Sequence, residues 1–248
     1  MSKRKRNSHF QCKQFTIEQG DCAMKVTTDA SLLGAYADVE KARHILDIGT
    51  GTGLLSLFAA QRCAAQVDAV ELDAQAAEQA RKNFANSPWP DRLSLIETDI
   101  RDYAQQHTHK AAEPYDLILC NPPFFTDSTP NPCDRTALAR HNTHLPLPGL
   151  LSAIDQLLSP DGHLWILLPL AESETLIKLA QTCSLFPQQR MQVRNSSKHQ
   201  PHREIMTLGR SPKETTHSLF TVYNPHPYHT HAAAQLFAPY YTRMKVED

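Results

Sequence analysis

The sequence predicts an α/β fold with a mostly parallel, doubly wound sheet that ends in an antiparallel hairpin. Three observations point to it. Short apolar runs alternate with helical segments, a glycine-rich stretch follows the first run directly, and 248 residues suffice for one sizeable domain. Strands that alternate with helices favour parallel pairing, because a crossover helix returns the chain to the same end of the sheet.

The predicted elements follow one another without an internal repeat or a long linker. Each strand prediction rests on a short apolar run, and each helix prediction on a longer segment with helical periodicity. The seven predicted strands span 44–48, 67–72, 93–97, 115–120, 164–168, 190–194 and 203–208, the last two as a hairpin. Helices are predicted at 54–62, 74–86, 147–158 and 172–182, and Gly162 is expected to turn the chain into the fifth strand.

These elements are expected to form a single domain in three parts. Residues 1–40 are a polar lead-in, residues from about 41 to 210 form the core, and residues 211–248 are a C-terminal extension. The middle of the lead-in is predicted to be a turn that feeds a short helix. Thr28 or Asp29 is the expected N-cap, because a short oxygen-bearing side chain can accept from the free amides of a first helical turn.

The composition is that of an ordinary soluble domain, with 41% hydrophobic and 21% charged residues and a net charge of −1. No apolar stretch follows the basic start and no run is long enough to span a bilayer, so we expect neither a signal peptide nor a membrane segment. The six cysteines form no Cys-x-x-Cys pair, and the histidines have no ligand spacing, so no metal is predicted. A reducing cytoplasm fits best, and a monomer is assumed.

The most informative segment is the turn Asn121-Pro122-Pro123-Phe124, which follows the apolar run at 115–120. Two prolines cannot continue a strand ladder, because they donate no backbone hydrogen bond and hold φ fixed. The turn offers a carboxamide, carbonyl acceptors and an aromatic ring, a set that suits a planar substrate with an exocyclic amine. An ordinary strand exit with a core phenylalanine explains the same residues, so the upstream segments must decide.

A glycine-rich loop, Asp47-Ile48-Gly49-Thr50-Gly51-Thr52-Gly53, connects the first predicted strand to the next helix. Glycine is needed where the backbone takes a positive φ or approaches a ligand without an intervening Cβ. The spacing differs from the G-x-G-x-x-G of dinucleotide sites, and the Gly-Lys-Ser/Thr of a P-loop is missing. A tight strand-to-helix turn remains the alternative interpretation of the loop.

Two acidic residues follow the next two predicted strands. Glu71 lies about 20 residues beyond the loop, where an acid accepts from both ribose hydroxyls; a solvated carboxylate is the alternative. Asp99 can accept from an adenine 6-amino group or cap a helix. Because the carboxyl ends of parallel strands meet at one edge, the loop, both acids and the Asn121 turn are predicted to share one crevice.

This array resembles the class I S-adenosylmethionine-dependent methyltransferases over roughly residues 40–210. The Asn-Pro-Pro-aromatic turn is similar to the fourth-strand motif of their amino-methylating branch. A closer resemblance, to the bacterial tRNA1(Val) adenine N6-methyltransferase family, covers most of the chain. The segments that resemble this family are Phe15, Asp21 to Asp29, Leu32 to Ala35, the loop Asp47 to Gly53, the turn Asn121 to Phe124, and Pro201-His202-Arg203.

Two departures from the family pattern stand out. Where the lead-in is expected to read Gly-Thr-Asp-Gly, this chain has Thr27-Thr28-Asp29-Ala30, so the turn cannot rely on glycine. Where a tyrosine usually follows the two prolines, this chain has Phe124. Stacking needs only the ring, so Phe124 should serve, without a hydroxyl to fix its orientation.

The resemblance implies a Rossmann-like fold, S-adenosylmethionine as cofactor, and the adenine just 3′ of the anticodon, position 37, as methyl acceptor. Asn121 and the Pro122 carbonyl would accept the amine hydrogens, and Phe124 would stack on the base. The implied cofactor-binding residues are Asp47, Gly49, Gly51, Gly53, Glu71, Leu72, Asp99, Ile100, Asn121, Thr28 and Asp29. For Asp47, orienting the loop and binding the cofactor's amine are both open; for Asp29, capping alone is the alternative.

Basic residues near both ends of the chain are candidate phosphate contacts with tRNA, although each is also explained as surface charge. They are Lys3, Arg4, Lys5, Arg6, Arg190, Arg194, Lys198 and Arg203. Three rival functions use the same motifs: a protein glutamine N5-methyltransferase, a DNA adenine methyltransferase, and a non-catalytic cofactor- or RNA-binding protein. The first usually has a helical N-terminal domain and the second a larger recognition region than this chain offers.

Overall fold

The computed structural model describes residues 8–20, 25–122 and 145–246. Its strands are β1 (His9–Gln11), β2 (Thr16–Glu18), β3 (His44–Ile48), β4 (Gln66–Glu71), β5 (Leu93–Glu97), β6 (Tyr115–Cys120), β7 (Leu158–Leu168), β8 (Phe186–Arg194), β9 (Arg203–Gly209), β10 (Thr216–Thr221), β11 (Tyr228–His229) and β12 (Lys245–Val246). Its α-helices are α1 (Thr28–Tyr36), α2 (Leu54–Arg62), α3 (Ala74–Ala85), α4 (Ile100–His109), α5 (Leu147–Leu157), α6 (Leu170–Ala180) and α7 (His231–Phe237).

A mixed sheet of eight strands, in the order β10-β8-β9-β7-β6-β3-β4-β5, forms the centre of the described part. Strands β5, β4, β3, β6 and β7 are parallel neighbours. β9 is antiparallel to both β7 and β8, which forms the predicted hairpin, and β10 is parallel to β8. The predicted α/β class with a mostly parallel sheet is therefore confirmed, and the sheet has one strand more than the seven expected.

Helices cover both faces of the sheet, which explains the continuous apolar runs of its central strands. Successive strand residues point to opposite faces, so Ile45 and Leu117 belong to the core cluster with α1, α2 and α7. Their neighbours Leu46 and Ile118 belong to the second cluster, with α4, α5 and α6. A strand buried on both faces has no polar alternation, and this made β3 and β6 recognisable from sequence.

The lead-in and the C-terminal extension pack on the first of these faces. The rings of Phe58 in α2 and Tyr240 are stacked with centroids 3.8 Å apart, and Phe15 meets Phe58 edge-on at 6.1 Å. The Lys13 amide donates to the Tyr240 carbonyl at 2.8 Å. Both ends of the chain thus contribute aromatic surface to the same core.

Two local predictions need correction. Thr27, not Thr28 or Asp29, is the N-cap of α1, and its side chain accepts from the Ala30 amide at 3.1 Å. Gly162 lies within β7 rather than in a turn before it, since β7 begins at Leu158 and passes through an irregular register against β6. A Cβ on Gly162 would lie 2.8 Å from the Tyr115 carbonyl oxygen, so close packing explains this glycine.

Helix α4 and strand β10 were not predicted, and both are polar. Only Ile100 and Ala104 of α4 are buried, and four of the six β10 residues are exposed. Strand β10 lacks the apolar alternation that predicts a strand, and α4 has helical spacing in Ile100, Tyr103 and Ala104 but too few apolar residues to stand out. No helix in the described part of the chain is long and apolar enough to cross a membrane.

Candidate active site at the carboxyl edge of the sheet

Four polar residues lie at the carboxyl ends of four adjacent parallel strands. Asp47 lies near the end of β3, Glu71 ends β4, Asp99 follows β5, and Asn121 follows β6. The strand order β5-β4-β3-β6 places all four on one edge of the sheet. In open parallel sheets this edge is where ligands bind, and the sequence predicted the same grouping.

The three loop glycines all have a positive φ, with values of 68° at Gly49, 58° at Gly51 and 86° at Gly53. A Cβ built on Gly49 or Gly51 would meet no atom of the described residues within 4 Å, whereas one on Gly53 would lie 2.5 Å from the Phe84 ring. Gly53 is therefore needed for packing as well as for its backbone conformation. Gly49 and Gly51 instead border open space into which a ligand can fit.

Asp47 ties this loop to the first turn of α2. The side chain is fully buried, and its Oδ2 accepts from Thr50 Oγ1 at 2.6 Å, Ser56 Oγ at 2.7 Å and the Ser56 amide at 3.1 Å. Its Oδ1 is buried with no hydrogen-bond partner among the described residues. One carboxylate oxygen thus orders the loop, and the other can receive a donor from a ligand.

Burial raises the pKa of Asp47 to about 6, against about 3.9 for an unperturbed aspartate. The folded state therefore holds the proton more tightly than the unfolded state. The resulting stabilisation is complete below about pH 4 and is lost as pH rises through about 6.

We expect Asp47→Asn to remove this pH dependence, because the amide oxygen can accept the three bonds without titrating. Between pH 4 and pH 7 the free energy of unfolding of the wild type should fall by roughly 2 kcal/mol relative to that of the variant. Urea unfolding of both proteins across this range measures the difference. Parallel stability curves would show that Asp47 titrates normally.

Glu71 is held against the glycine loop by backbone donors. Its Oε2 accepts from the Gly51 amide at 2.8 Å, and its Oε1 accepts from the amides of Leu72 and Asp73, both at 2.9 Å. A carboxylate has about four lone-pair sites, so capacity for one ribose hydroxyl remains. Leu72 beside it is 47% exposed, one of few large apolar side chains so exposed in the described regions, and it offers a surface that a nucleoside ring could cover.

Asp99 is the N-cap of α4. Its Oδ1 accepts from the Arg101 amide at 2.8 Å, and the Arg101 guanidinium contacts both carboxylate oxygens, at 2.9 and 2.6 Å. These Arg101 hydrogen bonds hold the pKa of Asp99 below its usual range. The capping interpretation of Asp99 is confirmed, and Ile100 after it is buried. A contact of either residue with adenine stays a prediction.

Asn121 lies directly after β6 with Pro122 beside it, and both are partly buried. Asn121 Oδ1 is buried and has no hydrogen-bond partner among the described residues. A buried acceptor without a partner costs about 1–3 kcal/mol, and such groups call for a specific explanation. A ligand that donates to Oδ1 would supply one. Phe124, the predicted stacking ring, lies outside the described residues.

The predicted lead-in residues Thr28 and Asp29 lie in the first turn of α1. Thr28 Oγ1 lies 3.4 Å from the Tyr223 hydroxyl. The Asp29 carboxylate lies 3.6 Å from Arg203 Nε and 3.9 Å from His202 Nε2. Asp29 therefore connects α1 to the start of β9 rather than capping its helix. A contact of either residue with the cofactor stays a prediction.

The candidate phosphate contacts divide into three groups. Arg190 forms ion pairs with Glu204 at 2.9 Å and Glu174 at 2.5 Å, and Glu204 is only 1% exposed, so we do not retain Arg190 as an RNA contact. Arg194, Lys198 and Arg203 lie on or near the carboxyl edge, and Lys198 is exposed. Lys3, Arg4, Lys5 and Arg6 lie outside the described residues.

Asn83 in α3 is a positioning residue that sequence reasoning missed. It is 1% exposed; its Oδ1 accepts from the Glu18 amide at 2.9 Å, and its Nδ2 donates to the carbonyls of Glu18 at 2.9 Å and Thr52 at 2.8 Å. It thereby joins β2 of the lead-in to the glycine loop. The sequence feature that could have indicated this role is an asparagine on the buried face of an amphipathic helix.

Comparison with known proteins shows the family to which the chain is similar. The family model described as methyltransferase small domain matches residues 22–169. A tRNA1(Val) (adenine(37)-N6)-methyltransferase from Parabacteroides distasonis is 41% identical over 206 residues, which cover 83% of this chain and 85% of that protein. One from Aeromonas hydrophila is 38% identical over 241 residues, covering 96% of this chain and 99% of that protein.

Solved structures with low sequence identity share the fold. A predicted O-methyltransferase from Agrobacterium tumefaciens superposes with a TM-score of 0.63 at 17% identity and covers 86% of this chain and 96% of its own. A putative methyltransferase solved with S-adenosylhomocysteine gives 0.62 at 13% identity, covering 84% of this chain and 57% of its own. These likenesses establish the class I methyltransferase architecture.

The resemblance drawn from the lead-in, the glycine loop and the Asn-Pro-Pro turn is thus confirmed over most of the sequence. The model match spans more than half of the chain, and the full-length relatives cover nearly all of it. The chain belongs to the methyltransferase small domain family and, within it, to the tRNA1(Val) (adenine(37)-N6)-methyltransferases.

Proposed function

We propose that this protein transfers a methyl group from S-adenosylmethionine to N6 of an adenine in tRNA, at position 37 of tRNA1(Val). The single observation on which the chemistry rests is the buried Asn121 Oδ1, which has no partner in the described regions and lies on the same sheet edge as the Asp47 and Glu71 carboxylates. The choice of tRNA follows the names of the relatives, all of which act on this nucleotide by description.

S-adenosylmethionine is the cofactor of this family, and the residues at the edge fit it. The Glu71 carboxylate would accept from a ribose hydroxyl, and Leu72, Asp99 and Ile100 would surround the adenine. The open space over Gly49 and Gly51 leaves room for the cofactor's backbone, and Asp47 Oδ1 would accept from its ammonium group. When bound, the cofactor supplies an electrophilic methyl group on a positively charged sulfur.

The difficulty in this reaction lies in the nucleophile, because the lone pair of an adenine amine is delocalised into the ring. We propose that Asn121 Oδ1 and the Pro122 carbonyl accept the two amine hydrogens, so that the nitrogen gains sp3 character and its lone pair turns toward the methyl group. This is catalysis by positioning and electrostatics. No strong general base is needed, since the nitrogen becomes acidic only as it is alkylated, and the proton it then loses can pass to solvent.

The base must leave its stack to reach this turn. An anticodon-loop purine is already unpaired, so its extrusion costs less than extrusion from a duplex. Phe124 would hold the extruded base, a contact worth about 1–3 kcal/mol by analogy with single-strand binders.

We further propose that the whole chain acts as one methyltransferase domain, a monomer in the cytoplasm, where tRNA is modified. The packing of Phe15 and Tyr240 on Phe58 supports the single-domain proposal, since both ends of the chain share the core of α2. The 41–210 core would hold the cofactor, and the flanking segments would complete the surface around it.

The proposal predicts that tRNA from a strain lacking this gene accepts labelled methyl groups from the purified protein, whereas tRNA from the parent strain does not. The parent tRNA should be a poor substrate because its acceptor nitrogen is already methylated. Nucleoside analysis should show N6-methyladenosine missing from the deletion strain and restored in vitro.

Total protein and DNA from the deletion strain serve as parallel acceptors in the same assay. Label that enters only protein would overturn the tRNA proposal in favour of a glutamine amide acceptor. Label in no acceptor, together with intact cofactor binding, would favour a non-catalytic protein.

A further inference from the structure

Two segments beside the candidate active site form a surface whose sequence contains no acidic residue. The first is the turn at 195–202 between β8 and β9, and the second is the stretch at 222–229 after β10. No aspartate or glutamate occurs anywhere at 175–203 or 215–246. We call these two segments, together with Arg194 at the end of β8, the β8–β10 rim.

The rim lies on the same edge of the sheet as Asn121. β9 is antiparallel to both β7 and β8, and β10 is parallel to β8. The ends of β8 and β10 and the start of β9 therefore lie at the carboxyl edge of β6 and β7. From β6 the sheet continues through β7, β9 and β8 to β10. At about 4.8 Å per strand, the rim begins about 10 Å from Asn121 and extends to about 20 Å.

Hydrogen bonds fix the shape of the rim. The amides of His199 and His202 donate to the carbonyls of Ser196 and Val193, both at 3.0 Å. The buried Ser196 places its Oγ 2.8 Å from His199 Nδ1, and the Tyr223 amide donates to the Asn195 carbonyl at 2.7 Å. The turn is therefore ordered, with Lys198 and His199 exposed on it.

In the described part of the chain, the acidic side chains that border the rim are paired. The Asp29 carboxylate faces His202 and Arg203 at 3.9 and 3.6 Å. The Glu204 and Glu174 carboxylates both contact Arg190. Lys198 and Arg194 are therefore not neutralised by these acids, and the rim has a positive electrostatic character suited to phosphate.

Aromatic rings lie beside this charge. The rings of Tyr223 and His226 meet edge-on with centroids 4.9 Å apart, and His229 lies 5.0 Å from Tyr223. His226 is exposed, and Tyr223 is partly so. Rings interleaved with cations are the combination that single-stranded nucleic acids recognise, because bases stack on the rings while phosphates pair with the cations.

We propose that the β8–β10 rim binds the anticodon arm of tRNA while its target adenine occupies the Asn121 turn. Lys198, His199 and Arg194 contact phosphates, and His226 with Tyr223 stacks an unpaired base of the loop. Phosphate contacts set orientation and register, so the rim determines which nucleotide reaches Asn121. This inference rests on the proposed function, since the RNA it receives is the proposed substrate.

The test uses the full-length protein and an unmodified tRNA1(Val) transcript. Lys198→Glu/His199→Glu should raise the Kd for the transcript at least tenfold and reduce the magnitude of the slope of log K against log salt by about 1 for each lost phosphate contact. The KM for tRNA should rise similarly, with kcat at saturating tRNA within twofold of wild type. His226→Ala should weaken binding about fivefold, and this loss should persist at high salt.

The matched control is His109→Glu/Lys110→Glu, the same pair of residue types, both exposed, at the C-terminal end of α4. This helix starts at the carboxyl edge and runs back, so its end lies at the opposite edge of the sheet. The control should bind the transcript within twofold of wild type. An equal loss in the control, or unchanged Kd and salt slope in the rim variant, overturns the proposal. If wild-type protein methylates tRNA in that case, the proposed function stands without the rim; if it neither binds nor methylates tRNA, both fail.

Discussion

Asn121→Ala is expected to lower the methyl-transfer rate about 100- to 1,000-fold while leaving cofactor affinity within about twofold. Removing one preorganised hydrogen-bonding group from a reacting centre typically costs this much. The effect should fall on kcat, because Oδ1 bonds the amine most strongly as the nitrogen becomes tetrahedral. Single-turnover methylation of deletion-strain tRNA, with cofactor binding by calorimetry, measures both quantities.

Two further variants separate chemistry from structure. Because Asn121 Oδ1 is buried without a partner in the described part of the protein, its removal should not lower the free energy of unfolding, and urea unfolding tests this. Asn121→Asp keeps an acceptor oxygen and should recover part of the activity lost by the alanine variant. Turnover of Asn121→Ala within about tenfold of wild type would show that the assigned role is wrong.

The central strands, which are buried on two faces, were predicted well. β3 and β6 have the predicted bounds, because continuous apolar runs occur where helices cover both sides of a sheet. The largely buried helix α2 also has its predicted bounds, and so does the edge strand β5, although only Leu93 in it is buried. β10 and α4 were missed since their surfaces are mostly polar. Their positions depend on pairing with β8 and packing under α5, which no local pattern encodes.

The candidate site was predictable in part: the residues at strand ends were predicted, and their long-range partners were not. Asp47, Glu71 and Asn121 were predicted to lie at one edge because each is at the end of an apolar run, and the carboxyl ends of parallel strands meet at the same edge of a sheet. Arg190 illustrates the limit: its sequence neighbours are basic or neutral, and its partners Glu174 and Glu204 are 14 or more residues away. Long-range partners such as these, and the Asn83 bridge to Thr52, arise only in the folded chain.

Gly53→Ala is expected to destabilise the protein by about 2–5 kcal/mol, and Gly51→Ala by only about 1–2 kcal/mol. Both residues have a positive φ, which costs a residue with a Cβ about 1–2 kcal/mol. At Gly53 the new methyl group would also lie 2.5 Å from the buried Phe84 ring, and such overpacking adds about 1–3 kcal/mol. Urea unfolding of the two variants measures the difference.

Cofactor affinity should be reduced more by Gly51→Ala than by Gly53→Ala, which is the reverse of their effects on stability. The methyl group of Gly51→Ala would enter the open space beside the loop, so the Kd for S-adenosylmethionine should rise about 10- to 100-fold, as expected for one misplaced carbon in a fitted site. In Gly53→Ala the methyl group points toward Phe84, so the folded fraction should bind the cofactor more nearly as wild type does. A Gly51→Ala variant that binds normally would mean that this space is not part of the cofactor site.

The steric conflict at Gly53 can be tested separately from backbone strain, because Phe84→Leu removes the ring that the methyl group meets. Strain from the positive φ is the same in both backgrounds, whereas the clash exists only with phenylalanine present. The double variant should therefore be more stable than the sum of the single losses predicts, by about 1 kcal/mol or more. Additivity within about 0.5 kcal/mol would show that backbone strain accounts for the whole cost of Gly53→Ala, and that the Phe84 ring adds nothing to it.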